Sequence, residues 1–242
     1  MYSSSKPQLF LLHFAGGSCY SFDFLKNYIS DDIDFIPLEI PGRGKRIHED
    51  LLNSKQDAIE DYVLQILKLR NSQPYIIYGH SMGATLGLSV AHKMQHKDDA
   101  PKALIVSGNA GPGAEKLEPM RLPKNRYKMS DSDLKKELRK LGGVPHELLT
   151  NEDAFEFFSA IIRADFEILE KGGVKEDHIL LQLPIYALMG AAEEDSTRIK
   201  FWQKFTSYRL TDKIYEGGHF FIYQHPEAIA ETVSAACLEL AI

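Results

Sequence analysis

The chain has 242 residues, 44% of them hydrophobic and 26% charged, and a formal net charge of −6. That length suits a single α/β domain burying about three-quarters of its unfolded surface, and the composition excludes intrinsic disorder. The acidic balance argues against general nucleic-acid binding. The two cysteines, Cys19 and Cys237, make neither a disulfide framework nor a zinc site and fit a reducing compartment.

Near the N-terminus the apolar run Leu9-Phe10-Leu11-Leu12 stops at His13, too short for the apolar core of a signal peptide. No window approaches the roughly 20 apolar residues of a membrane span, so a cytoplasmic protein is expected. Short apolar runs predict strands at Gln8–His13, Asp34–Leu38, Tyr75–Tyr78, Ala103–Ser107, Ile185–Met189 and Tyr208–Tyr215. Their near-continuous apolar character is that of strands covered on both faces. Helical spacing marks Asp57–Leu69 and Met82–Met94 between them. This alternation predicts a mostly parallel sheet flanked by helices, an α/β fold.

Between residues 108 and 173 the rhythm changes, with two helical segments, Asp131–Leu141 and Glu152–Lys171, and no strand. Gly142-Gly143 ends the first and Asn151 can cap the second. In the second, Phe155, Phe158, Ile162, Phe166 and Leu169 form one apolar stripe, with Phe157, Ile161 and Ile168 beside it. Two stripes predict a helix covered on two sides, either a lid over a substrate pocket or a helix sandwiched in the core. The expectation is one domain, 1–242, with 108–173 as a helical lid insertion.

Tyr75 to Ala84 reads strand, Gly79-His80-Ser81-Met82-Gly83, helix. A nucleophilic serine needs a sharp, strained turn that lifts its hydroxyl clear of the sheet, and small residues two positions either side leave room for it. The helix that follows aims backbone N–H groups at a developing oxyanion. Ser81 is therefore the candidate nucleophile. In this architecture the acid and then the base follow the serine. Of the nine histidines, His92 and His96 are four apart but lack the glutamate of a zinc-protease motif. His219, on the glycine-rich loop after the last strand, is favoured over His225, which abuts Pro226. For the acid, the loop after Ile185–Met189 offers Glu193, Glu194 and Asp195. Asp195 is chosen because aspartate is the commoner third member, with Glu193 the alternative closer to the strand end. The loop His13-Phe14-Ala15-Gly16-Gly17 supplies the second oxyanion donor, which pairs the Ala15 N–H with that of Met82.

With these residues in place, the sequence resembles the type II thioesterases that accompany nonribosomal peptide and polyketide synthases. The matching motifs are Phe14-Ala15-Gly16-Gly17, Pro41-Gly42-Arg43-Gly44, Gly79-His80-Ser81-Met82-Gly83, Leu141-Gly142-Gly143-Val144-Pro145, Arg163-Ala164-Asp165-Phe166 and Gly217-Gly218-His219-Phe220-Phe221. The resemblance implies an α/β-hydrolase fold with a helical lid. It also implies hydrolysis of acyl thioesters on the phosphopantetheine arm of acyl or peptidyl carrier proteins, with no metal or organic cofactor. Ser81 and His219 match the family pattern directly. The family's usual aspartate position is Glu193 here, so Asp195 requires a longer loop.

The basic residues Arg121, Lys124, Arg126, Lys128, Lys135, Lys136, Arg139 and Lys140 face only Asp131, Asp133 and Glu137. They form either a steering surface for an acidic carrier protein or a solvated helix face. A monomer with transient carrier contacts, and no nucleic-acid or membrane partner, is expected. A small-molecule esterase of the same fold and a silent carrier-binding protein are the alternative readings.

Overall fold

The computed structural model describes residues 5–114, 125–172 and 174–238. Six strands form one all-parallel sheet: β1 (Gln8–Leu12), β2 (Asp34–Leu38), β3 (Tyr75–His80), β4 (Ala103–Ser107), β5 (Ile185–Gly190) and β6 (Thr211–Tyr215), in the order β2-β1-β3-β4-β5-β6. The four inner strands are buried along their whole length, which is why they read as continuous apolar runs. Proline 37 is tolerated because β2 is an edge strand. The last strand starts at Thr211 and not at Tyr208. The Tyr208 and Leu210 amides are taken by the hydroxyl of Thr206, which follows the preceding 3-10 segment, and by the side-chain carbonyl of Gln203 within it.

Residues alternate across the sheet. Phe10 and Leu12 of β1 join the core on one face with α1 (Lys55–Leu69) and α2 (Met82–Gln95). Leu9 and Leu11 join the core on the other with Phe22, Leu25 and α6 (Pro226–Leu238). Each such side chain removed from water contributes on the order of 1.5–3 kcal/mol. The helix following Ser81 is sealed in this core: residues 82–91 are all buried.

Between β4 and β5 come α3 (Asp131–Leu141), α4 (His146–Thr150) and α5 (Glu152–Glu170). Gly142, at φ 77°, ends α3, and the Asn151 side chain caps α5 by accepting from the Ala154 N–H at 2.9 Å. The two-sided burial expected of α5 is present. Phe155, Ile162 and Phe166 build a small core with Leu134, Leu138 and Leu149, whereas Ile168 joins the main core. Phe157 departs from the expectation, pointing outward with 61% of its surface exposed. Among the described residues no helix is long and apolar enough to cross a membrane.

The sheet order reverses between β1 and β3, and in open α/β sheets ligands sit at the carboxyl ends of the strands at such a switch point. Two glycines let this junction close. A Cβ on Gly83 would lie 2.0 Å from the Leu12 carbonyl oxygen, and one on Gly79 would lie 2.1 Å from the Gly83 carbonyl oxygen. Both obstacles are backbone. At Gly87, one turn further along α2, a Cβ would meet only side chains, the nearest that of Leu104 at 3.3 Å. Gly83→Ala is therefore expected to cost about 2 kcal/mol or more by urea denaturation, while Gly87→Ala stays within about 1 kcal/mol of wild type. Equal midpoints for the two variants would contradict this packing.

Candidate active site

Ser81 follows the last residue of β3 with φ 54° and ψ −108°, a backbone region that costs a non-glycine residue about 1–3 kcal/mol. The local hydrogen bonds over-determine it. The Ser81 N–H donates to the Ser107 carbonyl at 2.8 Å, and its own carbonyl accepts from Ala84 and Thr85 at 3.1 and 3.3 Å. The Asn109 side chain also donates to that carbonyl.

His219 lies after β6, and its Nε2 is 2.9 Å from Ser81 Oγ. Its Nδ1 is 2.7 Å from Glu193 Oε2. A carboxylate accepts, so Nδ1 carries the proton and Nε2 presents a lone pair to the serine hydroxyl. The second Glu193 oxygen accepts from the Gly190 N–H at 3.1 Å, and the Glu193 N–H returns to the Gly190 carbonyl at the same distance. The glutamate is thus folded back onto the end of β5. Gly190 is itself required there, since its Cβ would fall 2.2 Å from the Gly218 carbonyl of the His219 loop.

The structure does not bring Asp195 to His219. Asp195 precedes the 3-10 segment Ser196–Phe205 and pairs with Arg198 at 2.9 Å. The position three residues beyond Gly190 is the one that reaches the imidazole, and Glu193 occupies it. The expected acid, Asp195, is replaced in the site geometry by Glu193.

His80, next to the serine, is fully buried, with Nδ1 2.8 Å from Ser107 Oγ and its ring centroid 5.1 Å from that of His219. Burial, and then the charge His219 can carry, push its pKa well below the usual imidazole value. It stays neutral and adds no positive charge beside the base. His225, the rejected alternative base, contacts the Glu216 carbonyl.

The loop after β1 starts beside the first turn of α2, where Gly83 packs on the Leu12 and His13 carbonyls, and Met82 is the first residue of α2. Gly17 N–H donates to the Phe14 carbonyl at 2.9 Å and Gly16 N–H to Asp165 Oδ2 at 2.7 Å, so neither is the free donor of that loop. His13, at its start, is held neutral with a pKa lowered to about 3 by burial and then by Arg43. Arg43 and Asp165 form a buried bidentate pair at 2.6 and 2.8 Å. Both residues belong to motifs visible in the sequence, but no sequence signal assigned them a role in the site.

Of the basic residues 121–140, Arg121 and Lys124 lie outside the described residues. Arg126 pairs with Glu170, Lys135 with Glu152 and Lys136 with Asp133, so half of the six described basic residues of the run sit in ion pairs. Among the described residues, no group of three or more histidine, cysteine or carboxylate side chains is arranged to hold a metal ion.

A parallel sheet with a serine elbow, a histidine after its last strand and a carboxylate between them defines a serine hydrolase of the α/β-hydrolase type. The thioesterase domain model matches residues 7–237, and the chain belongs to that family. It is 27% identical to the gramicidin S biosynthesis protein GrsT of Aneurinibacillus migulanus, over 98% of this chain and 90% of that one. It is 25% identical to the medium-chain S-acyl fatty acid synthase thioesterase of Rattus norvegicus, over 96% and 88%. Among solved structures it is similar to ClbQ from the colibactin NRPS/PKS pathway, with a TM-score of 0.85, 28% identity and coverage of 98% and 99%. It is also similar to BorB, the type II thioesterase of the borrelidin cluster, with a TM-score of 0.82, 27% identity and coverage of 96% and 93%. The protein is an enzyme of the thioester-hydrolysing class.

The roles of the two carboxylates separate cleanly by experiment. Glu193→Gln is expected to slow fluorophosphonate labelling of Ser81 by about 100-fold or more, and Asp195→Asn to leave it unchanged. Loss of labelling in Asp195→Asn with normal labelling in Glu193→Gln would contradict the geometry.

Proposed function

We propose that this protein removes acyl groups from the phosphopantetheine arm of carrier proteins in nonribosomal peptide or polyketide synthesis, regenerating misprimed or stalled modules. The observation that carries the reading is the Ser81–His219–Glu193 relay, within a chain similar to a gramicidin S biosynthesis protein and to ClbQ of an NRPS/PKS pathway. Ser81 Oγ attacks the thioester carbonyl while His219 Nε2 takes its proton. Glu193 fixes the imidazole tautomer and stabilises the imidazolium. The Ala15 and Met82 N–H groups hold the oxyanion, each contributing on the order of 3 kcal/mol. His219 returns its proton to the departing thiolate, then activates the water that clears the acyl-serine.

In this reading the chain is one domain and a monomer, residues 108–173 are the lid, and carrier contacts are transient. The face carrying Lys136, Arg139 and Lys140 then steers an acidic carrier by long-range attraction, an on-rate effect that salt screens. Reversing Lys136 and Lys140 to glutamate is expected to raise KM for a carrier substrate at low salt, with the difference vanishing at high salt. An unchanged KM at low salt would remove this face from docking.

The reading is tested by thiol release from an acetyl-loaded holo carrier protein, comparing wild type with Ser81→Ala and acetyl-phosphopantetheine with the loaded carrier. Release by wild type alone, faster from the carrier than from the free arm, is expected. Rapid hydrolysis of simple oxygen esters with no release from the carrier would show a hydrolase of different substrate.

A further inference from the structure

Arg43 and Asp165 are almost completely buried, with side-chain exposures of 2% and 0%. They come from different parts of the fold: Arg43 from the loop after β2, Asp165 from the middle of α5. The guanidinium meets both carboxylate oxygens, and Oδ2 also accepts the Gly16 N–H at 2.7 Å. Arg43 further leans on the Gly17 and Pro41 carbonyls, at 3.5 and 3.4 Å. Three segments therefore converge on one carboxylate.

Burying a charged pair is a poor way to gain stability, because desolvation offsets the attraction and apolar residues of similar volume often do as well. An apolar pair could hold α5 in place. It could not accept the Gly16 N–H. Gly16, at φ 78°, is pressed against α5 so closely that a Cβ would lie 2.9 Å from Ile162 and from Phe158. A peptide in so constrained a loop has its orientation set by what its N–H bonds to, and here that partner is Asp165.

We infer that Arg43 and Asp165 are positioning residues: Asp165, oriented by Arg43, fixes the Ala15–Gly16 peptide and, across the Ala15 Cα, the preceding Phe14–Ala15 peptide, whose carbonyl accepts from the Gly17 N–H and whose N–H, that of Ala15, faces the oxyanion formed at Ser81. This rests on the proposed assignment of Ala15 to the oxyanion hole. The same contact ties that loop to α5.

The test is the apolar double variant Arg43→Met/Asp165→Leu, with Asp165→Asn as a second, isosteric variant. Folding is followed by urea denaturation, turnover with thiophenyl acetate, and oxyanion stabilisation by the affinity for a short alkylboronic acid that forms a tetrahedral adduct on Ser81. The double variant is expected to unfold cooperatively, to lose kcat by about 10- to 100-fold with KM unchanged, and to lose boronate affinity by a similar factor. Asp165→Asn, which keeps a weaker acceptor for Gly16, is expected to fall between it and wild type. A folded double variant that keeps kcat and boronate affinity overturns the assignment. So does failure of both variants to fold, which would place the pair in the fold alone. Wild type that is active on thiophenyl acetate but inert on carriers would contradict the carrier reading and leave these readouts standing. Wild type inert to thiophenyl acetate and boronate alike overturns both.

Discussion

The strained turn at Ser81 is the constraint on which the rest of the site depends. A left-handed serine between a strand and a helix survives only if the neighbouring backbone leaves it no alternative. That is achieved by contact. Gly83 rests on the Leu12 carbonyl and Gly79 on the Gly83 carbonyl, so β1, β3 and α2 are locked at distances no side chain could share. The Ser81 N–H extends the β3–β4 pairing by donating to Ser107, and the strain is borne by the centre of the sheet.

From that fixed point, the other groups are delivered by the carboxyl ends of neighbouring strands. β1 leads into the Ala15 loop, β5 into Glu193 and β6 into His219. Electrostatics is managed by burial: His13 and His80 are held neutral, and the Arg43 charge is matched by Asp165. Burial pushes the Asp165 carboxyl up, opposed by the Arg43 charge and the hydrogen bonds from Arg43 and Gly16. The charge free to develop is therefore at Ser81 and His219.

Much of this was legible in the sequence because it is local. Strand, Gly79-His80-Ser81-Met82-Gly83 and helix are contiguous, and His219 follows the last strand through two glycines. The acid was not legible from residue type. Aspartate is the commoner partner, yet the deciding quantity is distance along the loop from β5, where Glu193 closes a turn onto Gly190 and Asp195 already turns toward Arg198. Arg43 and Asp165 stand 122 positions apart, and no periodicity or spacing links them before the chain folds. For α5, periodicity foresaw burial on two sides but assigned Phe157 to a buried stripe, although it points to solvent.

The most direct measurement is rapid-quench mass spectrometry of the protein mixed with acyl-loaded carrier, with the modified peptide located by fragmentation. The account predicts an acyl group that leaves the carrier, appears on Ser81 and then decays, and that never forms on the Ser81→Ala variant. Deacylation of the carrier with no adduct on Ser81 in the quenched samples, or an adduct on another residue, would contradict it.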